Sequence, residues 1–193
     1  MKTSLKIFII IANINLLCAC TTSGYKANPD SKTANLRLVA IPGNNNDVFI
    51  NRGVDCIAPR PAPSDEMAIL GIKANLVADR QAGRIIGMPL YDSAVPKKQQ
   101  TELKVEANKP IAFSFAGVGI SGISLYSIEY SWCMKKIEFT PVENANYEAV
   151  YDIVSTPRGK DCSAKLYEIR EVSGSFVKEE SKNYKLIENM CKK

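Results

Sequence analysis

"TELKVEANKPIAFSFAG", residues 101–117, holds two runs of alternating character on either side of a turn. Successive side chains of an extended chain point to opposite faces. Leu103, Val105 and Ala107 therefore share one face, and Glu102, Lys104 and Glu106 share the other. "NKP" supplies turn residues, and "IAFSFAG" reads as the returning strand with Phe113 and Phe115 together. The apolar period is two rather than 3.6, so this stretch specifies half-buried β structure.

The same signature repeats outward in both directions. "LRLVAI" and "VFINR" flank the turn cluster "PGNNND" and read as a hairpin. "APRPAPSDE" has three prolines in nine positions and reads as a loop or extended edge. "MAILGIKA" and "GRIIGMPLY" are further candidate strands. Toward the C-terminus, Met134–Thr140 is followed by "YEAVYDIV", which places Tyr147, Ala149 and Tyr151 on one face. Leu166, Tyr167 and Ile169 mark a strand, "SGS" a turn, "FVKEE" another strand, and "YKLIENMC" a closing strand or short helix. Many short β segments separated by turn residues predict a mainly β fold: an antiparallel β-sandwich or open barrel, one domain over residues 35–193.

Gly117, Gly119 and Gly122 are spaced as G-x-G-x-x-G within "FSFAGVGISGISLY", residues 113–126. A dinucleotide site needs a helix directly after these glycines. The segment that follows, "ISLYSIEYSWC", is rich in strand formers and poor in helix formers. The expected feature is a β-bulge or loop, and no nucleotide is expected. Such a loop would present Val118, Ile120 and Ile123, which are candidate partner contacts.

The chain opens "MKTSLKIFIIIANINLLCAC": Lys2 and Lys6, then an apolar run to Leu17 too short to span a bilayer. Leu17, Cys18, Ala19 and Cys20 resemble the lipobox of bacterial lipoproteins. Cys20, with Ala19 before it and Leu17 at the apolar position, fits the lipidated cysteine better than Cys18 does. The resemblance implies a signal peptide over residues 1–19, cleavage, and acylation of Cys20. Thr21 and Thr22 in place of an aspartate imply the outer membrane, on its periplasmic side. Residues 20–34 are polar, with Gly, Pro, Asn and Ser, and read as a flexible tether. The block from Cys133 through Tyr151 to Cys162 is similar to one in small β-sandwich lipoproteins of Gram-negative envelopes.

Four cysteines remain: Cys56, Cys133, Cys162 and Cys191. An even number in an exported chain predicts two disulfides, of which three pairings are possible. Cys56–Cys133 with Cys162–Cys191 is preferred, the second bridge tying down the tail. Their wide spacing, with no C-x-x-C, gives no zinc signature.

The sequence has no histidine, which removes Ser-His-Asp triads, Cys-His dyads and imidazole metal ligands. Net charge is +5, and +3 once Lys2 and Lys6 leave. The basic pairs Lys97-Lys98 and Lys135-Lys136 read as solvated surface rather than a nucleic-acid face. No catalytic residue, metal or cofactor is assigned. The expectation is a non-catalytic envelope lipoprotein that binds another protein or a cell-wall component. The alternative is a periplasmic hydrolase of glycan or peptide acting through carboxylates.

Overall fold

A computed structural model describes residues 24–41, 45–51, 55–57, 65–70, 83–90, 99–123, 128–156 and 159–192. Among these there are ten strands and no helix: β1 (Thr33–Ala40), β2 (Asn45–Asn51), β3 (Glu66–Leu70), β4 (Gln100–Glu106), β5 (Ile111–Ile123), β6 (Ile128–Phe139), β7 (Asn146–Thr156), β8 (Gly159–Val172), β9 (Ser175–Glu180) and β10 (Tyr184–Ile187). They form two five-stranded sheets, ordered β4-β1-β7-β8-β9 and β10-β6-β5-β2-β3. All pairings between strands are antiparallel except β1 with β7. The fold is a β-sandwich whose sheets do not close into a barrel.

Alternation in the sequence builds the core between the sheets. Leu36 and Leu38 of β1, Leu103 and Val105 of β4, and Tyr147, Ala149 and Tyr151 of β7 face Phe113 and Phe115 of β5 and Ile137 and Phe139 of β6. Aromatic rings bridge the layers. Phe139 meets Tyr147 edge-on at 4.9 Å, and Phe115 stacks on Tyr151 at 5.5 Å. Burial pushes the Tyr151 phenol well above its ordinary value, and its hydroxyl donates to the Cys133 carbonyl at 3.3 Å.

The faces of Thr101–Gly117 are as its alternation predicts, but the pairing is not. β4 lies in the first sheet and β5 in the second, so the chain crosses the sandwich through a turn with Asn108 at φ 60°. β1 and β2 are likewise split between sheets and form no hairpin. A period-two apolar face is satisfied equally by a hydrogen-bonded neighbour or by a strand opposite across the core. "GRIIGMPLY" contributes an irregular segment, Gly83–Leu90, rather than a strand.

The glycine stretch is strand. β5 and β6 form a long hairpin, with a register shift between Ile120 and Gly122. Val118, Ile120 and Ile123 lie on β5, but their side chains lie outside the described residues, as do Cys20 and the whole lipobox.

The bridges join Cys133 to Cys162 and Cys56 to Cys191, with Cα–Cα distances of 6.0 and 5.0 Å. This corrects the preferred pairing. Cys133 on β6 and Cys162 on β8 face one another across the sandwich, within the span a disulfide allows. The tail is tied down, but to Cys56, where Ile57 pairs with Met190 in an isolated parallel bridge.

Two further readings change. The chain packs on the domain before residue 34: Tyr25 is buried, and its N–H donates to the Glu66 carbonyl at 2.7 Å. Lys135 and Lys136 are buried rather than solvated. Lys135 donates to Glu188 at 2.6 Å. Lys136 reaches the Cys56 carbonyl at 3.5 Å, and burial holds its amine below the ordinary value.

Candidate functional site

The row of residues across the outer face of the first sheet is set by register. Arg37 is opposite Glu102 on one side and Glu148 on the other, and Glu148 is opposite Tyr167. Neighbouring strands place such side chains within contact distance. Arg37 Nε and Nη2 donate to Glu102 Oε1 at 3.0 and 2.8 Å, and Nη1 donates to Glu148 Oε2 at 3.2 Å. Lys178 donates to Glu148 Oε1 at 3.0 Å and sits 4.5 Å above the Tyr167 ring. Arg37, Glu102 and Glu148 are each no more than 2% exposed.

Gly83–Leu90 lies over Arg37 and Glu102 as a strap. Glu102 Oε2 accepts the backbone N–H groups of Ile86, Gly87 and Met88 at 2.8, 3.0 and 3.2 Å. Gly87, at φ +89°, lets consecutive N–H groups converge on one oxygen, as in a backbone anion nest. Arg37 Nη2 donates to the carbonyls of Met88 and Pro89. Burial opposes ionisation of Glu102, but hydrogen bonds from Arg37, Met88 and Ile86 and the Arg37 charge outweigh it. The carboxyl is held below its ordinary value. Above this ionic floor the strap exposes large apolar side chains: Ile85 at 44%, Ile86 at 40% and Leu90 at 70%.

A second feature lies at the end of the sandwich where Tyr25 enters. A cleft of about 500 Å³ is lined there by Tyr25, Lys26, Asp55, Glu106, Lys109 and Glu138, among others. Glu106 is engaged by the Asn28 N–H and by Lys109, both at 3.4 Å, and Glu138 by Lys185 at 3.6 Å. Among the described residues, the carboxylates whose acidity is displaced are Glu102 and Glu180, neither of them in this cleft, and both move downward. That is the wrong direction for the general acid of a hydrolase at neutral pH.

Ser114 and Lys136, a hydroxyl-bearing and an amine-bearing residue, are cross-strand partners on β5 and β6. Both are closed off from solvent. Asn51 Nδ2 donates to Ser114 Oγ at 2.7 Å, and Cys56 with its bridge to Cys191 lies above Lys136. Cys133, Asp161 and Cys162 cluster closely, but both sulfurs are consumed in a disulfide and offer no thiolate to a metal.

The four disulfide candidates are brought together, in a different pairing. The buried row and the strap were missed. The available signal was an arginine, Arg37, within the apolar run "LRLVAI" and the outward Glu102 of "TELKVEA". No family model, curated protein or solved structure matches the chain.

Proposed function

We propose that this chain is an envelope lipoprotein, acylated at Cys20 on the periplasmic side of the outer membrane. In this reading it is a non-catalytic module that binds an envelope protein or cell-wall component. The carrying observation is the strap. Buried ion pairs and three converging N–H groups fix a segment whose outward side chains are apolar and exposed. An exposed apolar patch on a rigid support is the usual mark of a contact surface. The two disulfides, which close without leaving an unpaired cysteine among Cys56, Cys133, Cys162 and Cys191, accord with an oxidising compartment.

The test joins crosslinking in intact cells with stability. Ile85→Asp with Leu90→Asp should shift the melting temperature little, because exposed substitutions usually cost within about 0.5 kcal/mol. Crosslinked product should fall sharply. Unchanged crosslinking at unchanged stability refutes the strap as the contact. Mass spectrometry that finds an unacylated mature N-terminus refutes the anchor.

A further inference from the structure

We infer that the end of the sandwich where Tyr25 enters docks on the phospholipid surface that receives the Cys20 lipid. This inference rests on the anchor proposed above. Tyr25 is buried and hydrogen-bonded to Glu66, so the domain begins there rather than near residue 35. Four residues, 21–24, lie between Cys20 and Tyr25, so the two are five Cα–Cα steps apart. A fully extended chain of that length spans at most about 18 Å. The leash is therefore too short for the domain to tumble free of the bilayer, and it selects which end faces the lipid.

That end carries exposed apolar side chains and lysines, alongside the carboxylates of the cleft. The turn between β6 and β7 carries Val142, 60% exposed. The turn at Ser173 and Gly174 is flanked by Val172, 51% exposed, and Phe176, 41% exposed. Register places both turns at the Tyr25 end. β7 starts there at Asn146 opposite Ile169, and Val172 lies beyond it. Lys26, Lys109 and Lys182 are exposed at the same end. Lys26 and Lys182 make no ion pair among the described residues. Apolar side chains seated at the headgroup boundary, with lysines at phosphate level, are the elements of interfacial binding. The far end of the β5–β6 hairpin then stands away from the bilayer, because thirteen residues of β5 span about 40 Å. Val118, Ile120 and Ile123 would face the periplasm, not the lipid.

The test uses the acylated full-length mature protein in phosphatidylethanolamine–phosphatidylglycerol vesicles doped with bromine-labelled phosphatidylcholine, a short-range quencher of tryptophan. Trp132, the single tryptophan, lies far along β6, opposite Val118. It serves as an internal reference, and its emission should be unchanged. In Phe176→Trp, and separately in Val142→Trp, the added tryptophan's emission should fall about twofold or more, as expected for a side chain at the headgroup boundary. Lys26 and Lys109 should also be protected from an amine-reactive reagent, relative to the same protein in nonionic micelles, while Lys165 on β8 is not. Absence of quenching in both variants overturns the proposal, as does quenching of Trp132 to the same extent. Protection that appears in native envelopes but not in pure vesicles also overturns it, and assigns the face to a protein. Mass spectrometry on the same sample separates the two claims. A missing acyl group fails the anchor; an acylated protein without quenching fails the docking alone.

Discussion

Replacing Glu102 by Gln removes one charge from the floor of the strap and changes almost nothing else in volume. The carboxylate now accepts two hydrogen bonds from Arg37 and three from backbone N–H groups. A glutamine oxygen can keep the three backbone donors. Its NH₂ group then faces Nε and Nη2 of Arg37, donor against donor. Arg37 keeps Glu148 as its sole ionic partner among the described residues. Removing one member of a buried pair costs about 3–5 kcal/mol. The retained backbone bonds put the expected loss at the low end, about 3 kcal/mol, a fall of roughly 6–12 °C in melting temperature for a domain this size. The control is Glu143→Gln, whose partner Lys32 is 67% exposed; surface pairs contribute about 0–1 kcal/mol. Urea denaturation of both variants gives the comparison. The charge also has a pH signature. The folded-state value of Glu102 lies below the unfolded one. Its contribution is therefore complete above the unfolded carboxylate value of about 4.3 and is lost as pH falls through the folded value. Glu102→Gln should lack that acid limb. A loss no larger than the control's, with an unchanged acid limb, would refute the reading of Glu102 as the pin beneath the strap.

Gly117→Ala would drive a Cβ into the Tyr151 hydroxyl and Asn46 Oδ1, where Tyr151 is stacked and fully buried. Calorimetry should show a loss of about 1–3 kcal/mol. Gly87→Ala meets no neighbouring atom but must hold φ +89°, so it should cost about 1–2 kcal/mol and loosen the strap, read as faster amide exchange at Ile86 and Met88. Native protein should show no alkylation at Cys56, Cys133, Cys162 or Cys191. On the chain-entropy relation, removing Cys133–Cys162, which closes 29 residues, should cost about 3.5 kcal/mol, and removing Cys56–Cys191, which closes 135, about 5. The reverse order in urea would count against an entropic origin.

The inner faces of the sandwich were legible because they are local. Leu103, Val105, Phe113, Phe115, Tyr147, Ala149 and Tyr151 follow a two-residue period, and all are buried. Sheet membership is not local. β4 and β5 alternate as hairpin partners would, yet they lie in opposite sheets, and nothing in "ANKP" distinguishes the two outcomes. The disulfide pairing depends on the same unreadable choice. Cys133 meets Cys162 only because β6 and β8 lie in opposite sheets.

The outer faces failed for a different reason, and it is the same reason twice. An isolated strand has one face toward the core and one toward water, so Glu102 and Lys136 read as solvent-facing. Each is instead covered by a third layer of chain with no regular structure. Over the first sheet the strap is held by hydrogen bonds of its backbone to the charged groups of Glu102 and Arg37. Over the second, the 55–57 segment and the C-terminal tail are held covalently, by Cys56–Cys191. Burying a charge is unfavourable unless it is paired and hydrogen-bonded. Glu102 meets that condition with five donors, and Lys136 at least in part through the Cys56 carbonyl. Arg37, Glu102 and Lys136 are thus not surface decoration. They are the polar fittings that irregular segments need in order to lie flat on a sheet. A sequence shows such fittings only as charged residues in the right alternation, indistinguishable from those that meet water.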